Sequence, residues 1–344
     1  MDDARPTQKE IARLTGLAQS TVSMALANNP RVSEKTRKYV HEIAGQLEYR
    51  PDPYLTALSA YRKRSVSAKY QATLAWVGSD PDNEVWSVIP PFYRHYYEGA
   101  VERARELGYR IEEHNLVKGG MTGQRLSKLL WARNIPGILF APQARPGASL
   151  VFDFSHFAAV AFGHTLVSPA IHTVVSHQSK SMLKLLDELQ KLGYKRPGLA
   201  ITHQSDNRTM HNWSSAFWGV QQTLKPENRV PILMVKEMSA NVFKVWLKEN
   251  RPDVVVTEQR YGHAWLVEAG ESIPETIGLA IITLRDWQKG YSGIMENSRL
   301  IGARALEFLV DLIHRREHGV PEVPTTLMVD GSWVEGTTVR RQNP

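Results

Sequence analysis

The sequence predicts an α/β fold in which a small helical N-terminal unit precedes a larger body built on two parallel β-sheets. Three short amphipathic helix patterns fall within the first 50 residues. Short apolar strands then alternate with helices from residue 72 onward, and they are too numerous for one sheet. With 344 residues, 42% of them apolar, the chain can fill two or three hydrophobic cores.

The first 50 residues carry the start and stop signals of three short helices. Thr7 and Glu10 have the spacing of a capping box, which satisfies free amides where a helix begins. Gly16 can adopt the positive φ of a tight turn, and a second helix is predicted over 19–27. Ser33 is the predicted N-cap of the third helix. Two short helices joined by such a turn form a helix-turn-helix, whose second helix can enter the major groove of DNA.

The predicted second helix has an apolar side and an outer side. Val22 and Ala25 lie on the apolar side, which would face the other two helices. The residues of the outer side are Gln19, Ser20, Ser23 and Met24. Any three-helix bundle shows the same periodicity, so this pattern alone leaves the partner open.

The positive charge of the chain is concentrated near its start. The formal net charge is +7, and residues 1–64 hold eleven Lys and Arg against seven Asp and Glu. A basic balance confined to a small terminal unit favours a polyanionic partner such as DNA. After this unit, Asp52 and Pro53 are placed as N-cap and first residue of another short helix, which is too short to be stable alone and needs a surface to fold against.

The N-terminal pattern resembles the lactose-repressor (LacI/GalR) family of transcription regulators. The residues that carry the resemblance are Ile11-Ala12, Gly16, Ser20-Thr21-Val22-Ser23, Asn29, Arg31-Val32-Ser33, Thr36-Arg37, Tyr49-Arg50-Pro51 and Leu58. The resemblance implies a homodimer in which the second helix lies in the major groove and a hinge helix enters the minor groove of a pseudo-palindromic operator.

The resemblance also implies which residues contact DNA. Gln19, Ser20 and Met24 would face base edges, and Leu58 would act as an apolar wedge between base pairs. The other DNA-binding residues implied, most of them at phosphates, are Thr7, Thr21, Ser23, Asn29, Arg31, Ser33, Thr36 and Tyr49.

Three residues of this region depart from the family's pattern. Ala18 replaces a Ser that usually caps the second helix, and Ala27 replaces a common Asn. Met24 stands where many members have Arg, and Met cannot make a bidentate contact to guanine. The operator sequence therefore does not follow from the family, and Met24 has the alternative of an apolar filler.

The pattern of the larger body predicts two series of β-strands that alternate with α-helices. Residues 61–68 are polar, basic and without periodicity, and we interpret them as a linker. The predicted strands are 72–77, 110–113, 137–141, 158–162, 198–202, 232–235, 253–257 and 277–283. The predicted helices include 92–107, 123–133, 179–192, 213–224, 242–249 and 300–314. Continuous apolar strands separated by helices predict doubly wound parallel sheets, covered on both faces.

A change of sheet is expected at residues 172–175, which read as a crossing between the two series. Two such lobes form a periplasmic-binding-protein-like effector domain, and the family resemblance implies the same architecture. The predicted domains are DNA-binding 1–50, hinge helix and linker 51–70, and effector binding and dimerisation 71–344, with lobe 1 at 71–172 and 297–324 and lobe 2 at 173–296 and 325–344.

Ligands of open α/β sheets bind at the carboxyl ends of the strands, so the residues after each strand are ligand candidates. These candidates are Trp86, Phe92, Tyr93, Gln143, His164, Arg208, Trp213, Arg260, Trp287 and Asn297. Aromatic rings together with amides suit a sugar, a sugar derivative or another flat polar molecule. Each candidate has a structural alternative, because a lone Trp in a helix is often a core residue. Arg208 and Arg260 indicate an acidic group on the ligand, with a solvated surface charge as the alternative.

Catalytic motifs are incomplete. His314, Glu317 and His318 match H-x-x-E-H, but they end a helix among arginines that would repel a cation. Ser181 and Lys184 match part of a penicillin-binding serine site whose K-T-G element is absent. No phosphate loop or G-x-G-x-x-G is present, and there is no cysteine. We therefore predict no enzyme activity, no metal and no cofactor.

The sequence thus predicts a cytoplasmic, nucleoid-associated transcription regulator that binds double-stranded DNA as a homodimer under control of a small-molecule effector. No apolar run approaches a membrane span and the start does not resemble a signal peptide, so no membrane partner is expected. The first alternative is a solute-binding receptor whose terminal helices serve assembly. The second is a hydrolase that uses the cleft, which the missing nucleophile disfavours.

Overall fold

The computed structural model describes residues 7–26, 32–47, 49, 70–78, 92–116, 120–143, 145–258, 262–285 and 288–342. The chain divides into two compact units, residues 1–68 and residues 69–344. No helix within these ranges is long and apolar enough to cross a membrane.

The first unit is a three-helix helix-turn-helix. Its helices are α1 (Gln8–Thr15), α2 (Gln19–Leu26) and α3 (Glu34–Gln46). Thr7 Oγ1 accepts a hydrogen bond from Glu10 N at 3.3 Å, and Ser33 Oγ accepts one from Thr36 N at 3.2 Å, so both predicted caps are present. Gly16 has φ of 68° in the turn before α2. The core of this unit consists of Ile11, Val22, Ala25, Val32, Val40 and Ala44.

The larger unit contains two six-stranded sheets and a small two-stranded sheet, which pairs the fourth strand with the sixth. Its strands are β1 (Ala72–Gly78), β2 (Tyr109–Asn115), β3 (Gly137–Phe140), β4 (Ala148–Ser149), β5 (Ala158–Phe162), β6 (Leu166–Ser168), β7 (His172–Ser176), β8 (Pro197–Thr202), β9 (Leu233–Val235), β10 (Val254–Thr257), β11 (Gly278–Leu284), β12 (Ser292–Met295), β13 (Thr326–Val329) and β14 (Ser332–Val334). The described helices are α4 (Phe92–Leu107), α5 (Gly123–Ala132), α6 (Gln178–Lys191), α7 (His203–Arg208), α8 (Asn212–Thr223), α9 (Ala240–Asn250), α10 (Gly262–Glu268) and α11 (Ser298–Arg315).

Each sheet forms the centre of one lobe. The sheet of lobe 1 has the order β13-β7-β5-β3-β1-β2 and is parallel throughout. The sheet of lobe 2 has the order β14-β12-β11-β10-β8-β9, and only β14 is antiparallel to its neighbour. Helices α4 and α11 cover one face of lobe 1 and α5 covers the other. In lobe 2, α6 and α8 cover one face while α9 and α10 cover the other. The predicted doubly wound, two-lobed fold is therefore confirmed.

The crossings between the lobes differ from the predicted boundaries. Strand β7 pairs with β5 and β13 in lobe 1, so the first crossing follows Ser176 and not residue 172. The second crossing lies at Glu296 and Asn297, between β12 and α11, which agrees with the predicted return near residue 297. Strand β13 forms the edge of the lobe 1 sheet, so the third crossing lies at Asp330 and Gly331 and not near residue 325. Short strands of similar composition fit either sheet by pattern, which is why the sequence misplaced these two crossings.

Helices α4 and α11 pack closely through two glycines. A Cβ at Gly99 would lie 2.0 Å from the carbonyl oxygen of Arg299. A Cβ at Gly302 would lie 1.9 Å from the carbonyl oxygen of Tyr96. The backbones of the two helices therefore approach so closely that only glycine fits at these two positions. This contact holds in place the start of α11, which directly follows the second crossing between the lobes.

His172 gives lobe 1 a pH-dependent contribution to stability. Burial lowers the pKa of His172, an effect that Glu317 opposes and Arg315 reinforces. Nδ1 of His172 accepts a hydrogen bond from Thr325 N at 3.0 Å, which protonation would break. Because the folded pKa is lowered, this contribution is complete above the unfolded pKa of about 6.5 and is lost as the pH falls through the folded value.

We therefore expect wild type to have a higher melting temperature than His172→Asn at about pH 7.5. The difference in melting temperature between the two proteins should shrink as the pH is lowered toward about 5. Thermal denaturation of both proteins across this range measures the gap. A gap that stays constant with pH would contradict the assignment.

Candidate functional site

The outer side of α2 is presented to solvent in the first unit. Gln19, Ser20 and Ser23 are exposed, whereas Val22 and Ala25 of the same helix are fully buried. The helix begins without a side-chain cap at Ala18, whose carbonyl accepts hydrogen bonds from the amides of the first turn. Two amphipathic helices thus hold a short polar face outward, as a groove-binding helix requires.

Other predicted DNA-binding residues are less exposed. Met24 and Tyr49 are partly buried and pack against the core of the first unit, which favours the apolar-filler alternative for Met24. Thr21 and Thr36 are partly buried, and Thr36 Oγ1 lies 2.7 Å from Ser33 Oγ within the cap of α3. Thr7 and Ser33 are exposed at the two capped helix starts. Asn29, Arg31 and Leu58 lie outside the described residues.

In the larger unit, the carboxyl ends of the strands carry polar side chains from both lobes. Gln143 follows β3 and His164 follows β5 in lobe 1. Arg208 ends α7, the short helix that directly follows β8 in lobe 2. Arg285 and Glu296 directly follow β11 and β12. We call the region between these strand ends the cleft.

Arg208 joins the two lobes across the cleft. Its Nη1 donates to the carbonyl oxygen of Gln143 at 3.2 Å, and its Nη2 donates to the hydroxyl of Tyr93 at the start of α4. The guanidinium carbon also lies 5.8 Å from the centre of the Tyr93 ring. Arg208 is partly buried, so the alternative of a solvated surface charge does not describe it.

A second polar network lies at the second crossing. Glu296 is only 8% exposed. Its Oε1 accepts a hydrogen bond from the Tyr96 hydroxyl at 2.9 Å, and its Oε2 accepts from Arg285 Nη1 at 2.6 Å and from Ser298 Oγ at 2.9 Å. Tyr96 belongs to lobe 1 and Arg285 to lobe 2, so the carboxylate of Glu296 links both lobes at the point where the chain passes between them.

The two networks are electrostatically coupled. Burial raises the pKa of Tyr93 and raises that of Tyr96 well above its usual value, and Glu296 raises both further. Both phenols therefore stay neutral. Tyr96, Arg285 and Glu296 are not among the predicted residues, although Arg285 and Glu296 directly follow strands, the position from which Gln143 was predicted.

Loss of the Tyr96 hydroxyl is expected to destabilise the larger unit. Tyr96→Phe keeps the ring, whose centroid is 5.3 Å from that of Phe162, but leaves a buried carboxylate oxygen without this donor. We expect a cost of about 1–3 kcal/mol by chemical denaturation. Tyr70→Phe is the control, because Tyr70 is 57% exposed and its hydroxyl lies 3.0 Å from Thr73 Oγ1 near the protein surface; a loss of equal size there would contradict the account.

His164 is a partly buried imidazole at the lobe 1 side of the cleft. Its side chain hydrogen-bonds with that of Gln178, the first residue of α6 in lobe 2, and burial lowers the pKa of His164. Its Nε2 is buried and has no hydrogen-bond partner within the described part of the chain. The imidazole is therefore neutral near pH 7 and retains one ring nitrogen that a ligand could use.

The remaining ligand candidates have different surroundings. Trp213 is 6% exposed and packs in the α6 and α8 core of lobe 2, which favours its core alternative. Asn297, with φ of 62°, donates to the carbonyl oxygen of Asp330 at 2.9 Å and to Ser332 Oγ at 3.1 Å, so it ties the second crossing to the third. Phe92 begins α4, but its side chain lies outside the description. Trp86, Arg260 and Trp287 are outside the described residues altogether.

The residues of the H-x-x-E-H pattern lie at the C-terminal end of α11 and just beyond it. His314 Nε2 lies within hydrogen-bond distance of the Tyr109 hydroxyl at 3.2 Å. Arg315 pairs with Asp311 and Glu317 on the same turn. His314 and Glu317 therefore bind neighbours within lobe 1.

Comparison with known proteins adds a family match to this geometry. Residues 7–52 match the sequence model described as bacterial regulatory proteins, lacI family. The HTH-type transcriptional regulator MalR of Streptococcus pneumoniae TIGR4 is 26% identical over 224 residues, which are 64% of this chain and 62% of MalR. The chain therefore spans less than two thirds of that relative.

Solved structures resemble nearly the whole chain. A transcriptional regulator CelR–cellobiose complex aligns over 97% of this chain and 100% of its own, with 16% identity and a TM-score of 0.53. The lac repressor dimer bound to operator and an anti-inducer aligns over 97% of this chain and 99% of its own, with 15% identity and a TM-score of 0.54. At this identity, the likeness establishes the fold.

Proposed function

Because the chain belongs to the lacI family of bacterial regulatory proteins, we propose that it is a sequence-specific DNA-binding transcription regulator. The observation that carries the proposal is the exposed polar face of α2 within a capped helix-turn-helix, at residues that the family's sequence model matches. We propose that Gln19 and Ser20 read base edges and that Thr7, Ser23 and Ser33 hold phosphates. The protein acts as a regulator in the cytoplasm, on the nucleoid, and not as an enzyme.

The protein is proposed to bind a pseudo-palindromic operator as a homodimer. Two-fold symmetry in the protein then matches two half-sites in the DNA, about one or more helical turns apart. A dimer on its operator is the state of the lac repressor structure with the same fold. The apolar wedge assigned to Leu58 remains part of this proposal.

A small molecule bound in the cleft is proposed to control operator affinity. The lobes are joined by three crossings and by the networks of Arg208 and Glu296, so a ligand between them can change their relative angle. By linkage, the ligand changes DNA affinity by the same factor as DNA changes ligand affinity, typically by about 1–3 kcal/mol. The similar CelR structure holds cellobiose, and a sugar or sugar derivative is the proposed class of ligand.

The proposal is tested by selecting DNA that the full chain binds from a random-sequence pool. We expect enrichment of one symmetric sequence, bound much more tightly than random DNA at the same salt concentration. Its affinity should fall steeply between about 50 and 200 mM salt, because Lys and Arg release counterions from phosphates. Absence of enrichment, or binding that ignores salt, would favour the alternative of a solute-binding receptor without DNA binding.

A further inference from the structure

We propose that the effector carries a carboxylate or phosphate group and that this group binds Arg208 in the cleft. The inference rests on the proposed function, because it takes the cleft as the effector site. It narrows the ligand from a sugar or sugar derivative of any charge to one that is an anion at neutral pH.

The first support is the chemical nature of the lobe 1 atoms that accept hydrogen bonds from Arg208, which belongs to lobe 2. Two of the acceptors of its guanidinium are the phenol oxygen of Tyr93 and the backbone carbonyl oxygen of Gln143, and these two acceptors are neutral. The same planar donors form bonds about twice as strong with an ionised carboxylate or phosphate. An anionic group placed between the lobes can therefore take the place of these two weaker acceptors.

The second support is the charge around the Tyr93 hydroxyl. Of the charges that act on it, Arg208 has the largest effect, followed by Glu296 and then Arg285. Two guanidinium groups thus favour negative charge at this oxygen and one carboxylate opposes it. Burial outweighs them and keeps the phenol neutral, because burial raises the pKa of Tyr93. A ligand group that is already ionised in water would gain from the same two cations.

The third support is that the nearest acid is compensated. Glu296 receives hydrogen bonds from Arg285, Tyr96 and Ser298, which take up both of its carboxylate oxygens. Its ion pair with Arg285 spans 2.6 Å, and both side chains are largely buried. The repulsion that Glu296 would exert on a bound anion is therefore reduced by its own counter-ion.

The fourth support is that the turn carrying Arg208 is held in place. Asp206 is only 1% exposed. Its carboxylate accepts hydrogen bonds from Ser214 N at 3.2 Å and from Ser214 Oγ at 2.8 Å, and it pairs with His211 Nδ1 at 2.7 Å. After Arg208, Met210 and His211 both have positive φ, at 52° and 60°, a conformation that non-glycine residues rarely adopt. A buried carboxylate thus fixes an otherwise unfavourable turn, and Arg208 needs little further ordering to bind a ligand.

The test uses a metabolite extract of the cells from which the protein comes, divided on an anion-exchange resin into retained and unretained fractions. Each fraction is added to the full chain on its selected operator, and DNA affinity is measured by fluorescence anisotropy. We expect the retained fraction to change operator affinity. An effect confined to the unretained fraction, or an effect in neither fraction, would overturn the inference. Operator binding without extract tests the proposed DNA binding separately.

Treatment of the active fraction with phosphatase distinguishes the two sources of charge. Loss of the effect identifies a phosphate, and persistence identifies a carboxylate.

Two variants locate the anion. Arg208→Gln is expected to need at least about ten-fold more of the retained fraction for the same relative change in affinity, because it loses charge-assisted hydrogen bonds. Arg105→Gln removes the same charge from the exposed last turn of α4, which leads into the amino end of β2 at the opposite edge of the sheet from the cleft, and it should respond like wild type. An equal response from Arg208→Gln and wild type would contradict the site.

Discussion

A Gly302→Ala protein is expected to melt at a much lower temperature than wild type, with a loss of about 3 kcal/mol in unfolding free energy, the upper end of the usual cost of overpacking. The added Cβ would lie 1.9 Å from the carbonyl oxygen of Tyr96 and 2.9 Å from the amide nitrogen of Ala100. Both contacts are backbone atoms of α4, so no side-chain rotation can relieve them and the helices must move apart. Circular dichroism during heating measures the loss.

Gly219→Ala is the matched control for this substitution. Gly219 is exposed on α8, and a Cβ there would meet nothing within 4 Å. Alanine should raise stability at this position by about 0.8–1 kcal/mol through helix propensity. If Gly302→Ala instead melted like wild type, α4 and α11 would not pack through these glycines.

A Gln19→Glu protein is expected to lose more than about 100-fold in operator affinity while its first unit stays folded. Gln19 is exposed and is the first residue of α2, where a carboxylate favours the helix by about 0.3–1 kcal/mol. Toward DNA, the same carboxylate faces phosphates, and like charges in an interface cost several kcal/mol. Anisotropy with the selected operator measures affinity, and circular dichroism measures folding.

Gln46→Glu makes the same chemical change in the same unit. Gln46 is exposed on the last turn of α3 and is not among the residues proposed to contact DNA. Its effect on affinity should be much smaller, because salt screens an exposed charge that makes no direct contact with phosphates. Equal losses from the two variants would mean that total charge, and not the face of α2, governs binding.

Local signals in the sequence were sufficient to predict the helix-turn-helix and the two parallel sheets. The caps at Thr7 and Ser33 and the turn at Gly16 depend on residues within one helical turn of each other. The apolar strands of the larger unit are buried on both faces, and continuous apolar runs reveal this kind of strand. These features need no knowledge of distant contacts.

The cleft could be predicted only in part because its contacts are long-range. Tyr96 and Glu296 are 200 residues apart in sequence, and Arg208 contacts Tyr93 across 115 residues. Position after a strand identified Gln143, His164 and Arg208 as candidates, but it could not distinguish Trp213 in the core from a ring in the cleft. Strand β12 was also missed, because SGIM is short and begins with Ser292 and Gly293. The ligand residues therefore stay a prediction, with Arg208 best placed among them.

The most direct test of the central claim compares DNA selected from a random pool by wild type and by Gln19→Ala. If the outer side of α2 reads base edges, wild type will enrich a symmetric sequence. The variant will then lose base preference at matching positions of both half-sites and keep the rest of the sequence. An unchanged sequence from the variant would contradict base reading by Gln19, and no enrichment by wild type would contradict the account as a whole.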